Sequence, residues 1–467
     1  MSEISRRSVL TSALGSAGAG IAAAVWGSSS PATALDAPYA TSLTPASATS
    51  TSAPGTTIDL NLHIWDRVVR AISDSETATL KVTSGVLPTG LSIAGRYLTG
   101  RMTTNERYSF EMEIREGTTK RRQIFAGTIG TIKQDLSISL SIDKVTSLDV
   151  TAKELDRIAL IGANAILVIF CYIPTPTSST FTRVSDARIN QVLTLARERG
   201  VRITMVKPHI VTEELGDSFY RGEYKPSSID AFLTNWRDQL LYFTQLCKSN
   251  GVEYLSITCE QRWQTEAEHY NRWVPLIVDI RQAHPALKLT ASFTTLELYL
   301  IYTYWLPQGV PHMVVTLDVL GVTSWVRLTN KTYTPSTPNI SVDELVAGWR
   351  GGGGLQDDHL GKLEWVGDKL QMPFFITEVG VQPRVDGLAK QEGGNAVTGA
   401  YDHQVQALLL RSVMQGPMLS RWCTGVSIWH MRAPFHLGNV NGASLYPGEN
   451  VLKDEIARVP SLAEKRY

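Results

Sequence analysis

Two apolar segments that each end near a glutamate decide the fold: VEYLSITCE (252–260) and PFFITEVG (373–380). Both are short runs of aliphatic and aromatic residues, which predicts strands buried inside the protein. Glu260 and Glu378 then lie at the ends of these strands. Burying a carboxylate costs free energy unless other groups compensate for it. Two such positions therefore indicate a functional site.

Outward from these segments, strand-like and helix-like patterns alternate from about residue 134 onwards. The predicted strands are 136–142, 164–172, 201–207, 252–260, 287–293, one within 314–325, 374–378 and 425–430. Helices are predicted between them, including one over 185–199, one over 228–249 behind a serine cap and one over 266–284. This alternation predicts an α/β fold, a (β/α)8 TIM barrel, in which active sites lie at the carboxyl ends of the strands. Glu260 closes strand four and Glu378 closes strand seven.

An open, doubly wound sheet is the alternative to the barrel. Such a sheet carries a glycine-rich phosphate loop after its first strand. Here the first strand is followed by DKVTS (143–147), and the glycines at 351–354 lie within a helical stretch. The barrel is therefore the favoured fold.

The N-terminus predicts an export signal. SRRSVL (5–10) precedes a weakly apolar stretch over 14–26 and an A-x-A site at 32–34, which is typical of a twin-arginine signal peptide. An ordinary secretion signal or an uncleaved anchor are the alternatives. We expect a bacterial protein that is periplasmic or secreted and has no membrane partner after signal removal, because no other segment is long and apolar enough to cross a bilayer.

A small all-β domain is predicted between the signal and the barrel. YSFEMEI (108–114) alternates polar and apolar residues, as a half-buried strand does. GVLPTGLSIAGRYLTG (85–100) resembles the signature of bacterial immunoglobulin-like domains of the putative-Ig and cadherin-like type. The resemblance implies an immunoglobulin-like sandwich that serves as a spacer or binding module. The predicted division is a signal peptide (1–34), a Ser/Thr/Ala/Pro-rich linker (35–56), the β-domain (57–133), the barrel (134–440) and a C-terminal extension (441–467).

Composition excludes several classes of function. Lysine plus arginine equals aspartate plus glutamate at 44 each, so neither nucleic acid nor anionic lipid is an expected partner. The nine histidines show no HExxH or HxH spacing, so no metal and no cofactor are expected. The four cysteines lack CxxC spacing; buried free thiols are favoured over one disulfide.

Two rim glutamates are the groups that a retaining glycoside hydrolase needs. One carboxyl protonates the leaving oxygen and the other attacks the anomeric carbon, about 5–5.5 Å away. The two must lie in different environments, so that one keeps its proton while the other is ionised. The alternative is that Glu260 and Glu378 are structural and pair with nearby Arg262 or Arg384.

Glutamates that end strands four and seven resemble the defining arrangement of clan A glycoside hydrolases. FITEVG (375–380) resembles the nucleophile segment of that clan, GVSIW (425–429) resembles its eighth strand, and MVKPH (205–209) resembles strand three of glycoside hydrolase family 113, the β-mannanases. The resemblance implies that Glu260 is the acid/base and Glu378 the nucleophile. It implies substrate-binding roles for Lys207, His209, Trp325 and Trp429. An ion pair, a packed histidine and packed tryptophans are the alternatives for these four.

The sequence departs from the clan at two positions. Most members have asparagine before the acid/base, where this chain has Cys259, and often a tyrosine where it has Ser324 and Trp325. The expected function is an exported retaining glycoside hydrolase of a β-linked polysaccharide or oligosaccharide, mannan-like by resemblance and without a cofactor. The departures leave open a barrel that has lost catalysis and serves as a carbohydrate-binding or surface-assembly protein.

Overall fold

The computed structural model describes residues 57–458 except 61, 66, 105, 131–133, 217 and 391–396. The predicted signal peptide and linker, and the last part of the predicted C-terminal extension, lie outside the described residues. Within residues 57–458, apart from those gaps, no helix has the length and hydropathy that crossing a membrane requires.

Eight parallel strands close into a barrel, as predicted. Its strands are β8 (Asp135–Ile142), β9 (Asn164–Ile173), β11 (Ile203–Thr212), β12 (Tyr254–Cys259), β13 (Lys288–Phe293), β14 (Val319–Thr323), β15 (Phe374–Val379) and β16 (Cys423–Ile428). The strands follow each other in chain order, and β16 pairs with β8 to close the ring. The short β10 (Thr182–Arg183) pairs antiparallel with β9. Parallel strands buried on both faces explain why the barrel segments are nearly continuous apolar runs.

Helices surround the barrel. They are α1 (Leu148–Ile161), α2 (Asp186–Glu198), α3 (Ile229–Asn250), α4 (Arg262–Thr265), α5 (Tyr270–Ala283), α6 (Thr295–Leu300), α7 (Val342–Gly348), α8 (His359–Leu370), α9 (Gln404–Gln415) and α10 (Pro447–Arg458). Ser185 and Ser228 cap α2 and α3 by accepting backbone N–H bonds; a serine cap was predicted for α3 alone. The four cysteines are all buried free thiols.

Strand three extends beyond its predicted end at Lys207. Proline is rare inside central strands, so the presence of Pro208 within a longer strand needs an explanation. In the structure β11 continues to Thr212 along β9, while its ladder with β12 contains only Met205 and Val206. Pro208 therefore lies beyond the β12 ladder.

The helical region after strand four is broken, although one helix was predicted over 266–284. The short helix α4 comes first and α5 begins only at Tyr270. Side-chain bonds hold the break, because Gln264 donates to Tyr224 O at 2.8 Å and Trp273 Nε1 donates to Gln264 O at 2.8 Å.

The predicted C-terminal extension contains α10, which contributes to the barrel wall. Its Glu449 forms a buried ion pair with Arg157 of α1 at 2.6 Å. Glu449 is fully buried and Arg157 is 4% exposed. The helix α10 thus follows β16 as the helix of the last strand–helix unit of the barrel.

Residues before the barrel form a small β-module of two sheets. The first has the order β1 (Thr57–Ile58), β7 (Thr119–Thr128), β6 (Arg107–Glu116) and β3 (Thr79–Gly85); the second has the order β2 (Arg67–Ala71), β5 (Tyr97–Arg101) and β4 (Leu91–Ala94). Buried residues such as Leu98, Phe110 and Phe125 form its separate core. Its immunoglobulin-like nature stays a prediction.

The β-module packs against the end of the barrel where the strands begin, here called the floor. Trp65 stacks on Trp422 with ring centroids 4.1 Å apart. Arg67 forms an ion pair with Asp318 at 2.6 Å, and Arg281 of α5 reaches the same carboxylate at 2.9 Å. The opposite end, where the strands finish, is called the mouth. The predicted site residues lie at the mouth.

Candidate active site

Glu260 directly follows β12 and has a strained backbone. Its φ angle is 55°, in the left-handed region that costs a non-glycine residue about 1–3 kcal/mol. Its N–H donates to Ser292 O of the neighbouring strand at 2.8 Å, which holds this conformation. Such strain is concentrated at functional sites. Glu260 is 8% exposed.

The structure brings Glu260 and Glu378 to the same part of the mouth. Thr323, at the end of β14, donates to Glu260 Oε1 at 2.9 Å. Thr323 is also the register partner of Glu378 on the neighbouring strand β15. Adjacent strands are about 4.8 Å apart. Thr323 therefore binds one predicted catalytic glutamate with its side chain and lies beside the other in the sheet.

Three side chains surround the Glu378 carboxylate. Lys207 Nζ donates to Oε1 at 2.5 Å, and Trp325 Nε1 donates to Oε2 at 3.2 Å. The Cys259 thiol lies 3.7 Å from Oε1. Burial raises the pKa of Cys259 well above its usual value, and the nearby Glu378 charge raises it further, so the thiol is protonated and donates. Trp325, which departs from the pattern of the clan, thus supplies a donor to Glu378.

Glu260 is held by a residue that the sequence did not single out. Arg221 Nη2 donates to its Oε2 at 3.0 Å, and Arg221 is 5% exposed. The alternative partners are excluded, since Arg262 pairs with Glu266 at 3.6 Å and Arg384 lies over the Tyr401 ring at 4.0 Å. Arg221 comes from a one-turn helix in the loop between β11 and α3, and nothing in its local sequence marks it.

Three of the predicted substrate-binding residues, Lys207, His209 and Trp429, lie against one another in the mouth. His209 stacks on Trp429 with centroids 5.8 Å apart, and Lys207 Nζ lies 5.1 Å from the Trp429 ring centre. Trp429 is 4% exposed, whereas Trp325 is partly exposed. A Cβ at Gly380 would lie 2.2 Å from Trp429 O, so this position of FITEVG must be glycine for the strands to approach. Sugar contact by these side chains stays a prediction.

A further buried carboxylate, Glu297, stands behind Glu260. It accepts bonds from the backbone and hydroxyl of Thr294, which caps α6, and from Thr265 Oγ1 at 2.7 Å in the turn after Glu260. Burial, helped by the charge of Glu260, raises the pKa of Glu297 from 4.5 to about 7. No role was predicted for Glu297 from the sequence; the pattern TTLE (294–297) matches a capping box and could have indicated the bonds to Thr294, but not the bond to Thr265.

A cluster of possible metal ligands also lies in the mouth. One atom each of His209, Cys259 and Glu378 lies within 4.8 Å of the others, and all three residues are buried. They come from strands β11, β12 and β15, and Cys259 is 50 and 119 residues from the other two. A search for short histidine spacings cannot detect such a cluster.

Comparison with known proteins adds solved structures of low sequence identity. A GH113 β-1,4-mannanase has a TM-score of 0.50 and 18% identity, and the match covers 69% of this chain and 98% of that one. The GH113 β-mannanase AaManA from Alicyclobacillus acidocaldarius has a TM-score of 0.51 and 17% identity, with 71% and 98% coverage. No protein-family model and no curated protein sequence matches significantly.

These similarities show the fold. The barrel of this chain is the closed (β/α)8 barrel that the matching glycoside hydrolases share. At such identities the chemistry depends on the side chains in the mouth.

Proposed function

We propose that the protein is an exported retaining glycoside hydrolase that cleaves β-linked polysaccharide or oligosaccharide, mannan-like in its substrate. One observation carries the proposal: Glu260 and Glu378 lie in the same part of the mouth, and each is bound by its own cation and by at least one neutral donor. The fold similarity to proteins described as GH113 β-1,4-mannanases supports the class and the sugar.

Glu378 acts as the nucleophile. Its Oε1 is fixed by Lys207 and its Oε2 by Trp325, so the carboxylate is held in one orientation. One oxygen attacks the anomeric carbon as the bond to the leaving oxygen breaks, which gives a covalent glycosyl-enzyme. Water then releases the sugar with retention of configuration.

Glu260 acts as acid and then as base. It gives its proton to the leaving oxygen and later takes a proton from the attacking water. Thr323 holds Oε1, so Oε2 is the oxygen that exchanges the proton. Arg221 now donates to Oε2, so the guanidinium must move away before Oε2 can carry a proton and reach the glycosidic oxygen.

Lys207, His209, Trp325 and Trp429 are the residues proposed to contact the sugar. Trp325 is the partly exposed member of the set, which suits a ring platform. The twin-arginine signal would deliver the enzyme to the periplasm or the medium, with the β-module as spacer.

The direct test is product release from β-mannan, glucan, xylan and galactan by the purified mature protein. Products from wild type, with loss of about 1,000-fold or more in Glu378→Gln and Glu260→Gln, are expected. Glu198→Gln on the exposed surface of α2 is the matched control. Hydrolysis near the wild-type rate by both mouth variants would refute the assignment.

Azide separates the two roles. With an aryl β-glycoside of the sugar found, azide should speed turnover by Glu260→Ala and give the β-azide, because azide needs no base. Glu378→Ala should give the α-azide, because azide then replaces the nucleophile. The reverse pattern would exchange the roles.

A carbohydrate-binding protein without catalysis is the second candidate, favoured by Cys259 and Trp325 at positions where the clan differs. It predicts that wild type binds one of the four polysaccharides, releases no product from it and binds no more weakly after Glu378→Gln.

A further inference from the structure

We propose that His209, Cys259 and Glu378 form a binding site for a thiophilic divalent cation, Zn²⁺ in particular. The enzyme is inactive while this cation is bound. The inhibitory half of this statement rests on the proposed function. The binding half depends only on the three side chains.

The ligand atoms are already nearly at the spacing of a tetrahedral zinc site. Cys259 Sγ lies 3.7 Å from His209 Nδ1 and 3.7 Å from Glu378 Oε1. Zinc bonds of about 2.3 Å to sulfur and about 2.0–2.1 Å to nitrogen or oxygen, at tetrahedral angles, place such pairs roughly 3.6 Å apart. The third pair lies within 4.8 Å, against roughly 3.4 Å in a tetrahedral site. A small turn of one side chain closes that gap.

The chemistry of the three groups selects the cation. One thiolate, one imidazole and one carboxylate suit zinc, whereas calcium and magnesium prefer oxygen ligands alone. Three protein ligands leave a fourth position for water. On binding, the Cys259 S–H loses its proton to solvent and a metal–sulfur bond forms, so one proton is released for each cation bound.

Charge makes the site moderate in affinity. The thiolate and Glu378 supply two negative charges, and the Lys207 ammonium on Glu378 Oε1 opposes the cation. The cation must therefore share Glu378 with Lys207 or displace it.

Occupation would stop catalysis for a simple reason. Coordination of the cation withdraws electron density from both oxygens of the Glu378 carboxylate, so neither oxygen attacks the anomeric carbon effectively. Cys259, where most of the clan has asparagine, would thereby make the nucleophile sensitive to thiophilic metals. A chelator should restore activity, because no covalent bond to carbon is made.

The test uses Co²⁺ as a spectroscopic probe of the whole mature protein, with Zn²⁺ as competitor. Wild type should show a sulfur-to-cobalt charge-transfer band and tetrahedral d–d bands at one equivalent, both removed by Zn²⁺. Cys259→Ser should lose the charge-transfer band, and His209→Asn should weaken binding about 100-fold. Cys247→Ser, at another buried thiol in α3, is the matched control and should bind as wild type does.

The outcomes distinguish this site from the proposed function. The whole proposal is supported if the enzyme shows the cobalt band, loses at least tenfold in activity with Zn²⁺ and regains its activity with a chelator. A cobalt band in a protein that hydrolyses nothing keeps the site and refutes the function. Full hydrolysis with no cobalt band, or a band that survives Cys259→Ser, overturns the site.

Discussion

The mouth and the floor of the barrel both bury carboxylates against cations, but the groups around these carboxylates differ. At the floor, Asp318 is bound by Arg67 of the β-module, by Arg281 of α5 and by the Leu289 N–H at 2.8 Å. At the mouth, Glu260 and Glu378 each receive one cation and at least one neutral donor, and one donor to Glu378 is the partly exposed Trp325.

The difference separates stability from reactivity. The β-module contacts the floor through Trp65 and Arg67, so we expect the floor carboxylate to act in stability alone. The mouth carboxylates lie at the carboxyl ends of the strands, where barrel enzymes carry out their chemistry. Variants at the two ends should therefore affect different measurements.

The largest expected effect compares the cations of the two ends. Lys207→Met should lower kcat/KM by roughly 1,000-fold, because Glu378 loses the ammonium that fixes its reacting carboxylate. Arg67→Met should leave kcat/KM within about twofold of wild type, since its partner is at the floor. Initial rates on the substrate found by the panel decide this. Equal losses in both variants would remove the distinction between the ends.

The second effect is on stability. Asp318→Asn should lower the free energy of unfolding by about 4 kcal/mol, because the buried Arg281 and the half-buried Arg67 lose their counter-charge. Urea denaturation measures the loss, and kcat of the folded fraction should not change. Glu364→Gln, at a partly exposed ion pair with Arg350, is the control and should cost less than about 1 kcal/mol.

The third effect is a pH dependence from Glu297 near the mouth. Its folded-state pKa of about 7 lies above its usual 4.5, so it stabilises the fold fully below pH 4.5 and loses this contribution as the pH rises to about 7. The loss is about 3 kcal/mol. Glu297→Gln should remove it from a plot of unfolding free energy against pH. An unchanged slope between pH 4.5 and 7 would contradict the raised pKa.

Asp318 at the floor should show the opposite sign. Burial opposes its ionisation, but Arg281 and Arg67 outweigh burial and hold the pKa of Asp318 far below its usual value. Its contribution is present above about pH 4 and is lost as the pH falls further. Wild type should therefore lose more stability than Asp318→Asn on acidification below pH 4, and Glu297→Gln should follow wild type there.

Much of the fold was predictable because its causes are local. Apolar runs gave the eight barrel strands, and Ser228 gave the start of α3, since a cap acts on its own first turn. The predicted end of strand three at Lys207 was wrong. Pro208 fits within β11 because pairing with β12 stops at Val206, while pairing with β9 continues to Thr212. The length of a strand therefore depends on its neighbours, which its own sequence does not show.

The site was predictable only in part. Glu260 and Glu378 follow from strand ends, which are local features. Arg221 and Thr323 are 39 and 63 residues from Glu260, and only the closed barrel brings them to it. The floor contact of Arg67 with Asp318 joins the β-module to the barrel, so patterns within either region could not indicate it.

The smallest expected effect tests whether the floor contact is purely structural. Trp65→Leu should lower the free energy of unfolding by about 1 kcal/mol, because the stacked contact with Trp422 at 4.1 Å is lost while some apolar area remains. Its kcat and KM should equal those of wild type. Trp365→Leu, which loses an edge contact with Tyr302 on the barrel wall, is the matched control for removing a partly buried indole. If Trp65→Leu lowered kcat while Trp365→Leu did not, the β-module would act on the mouth through the barrel, and the separation of stability at the floor from reactivity at the mouth would fail.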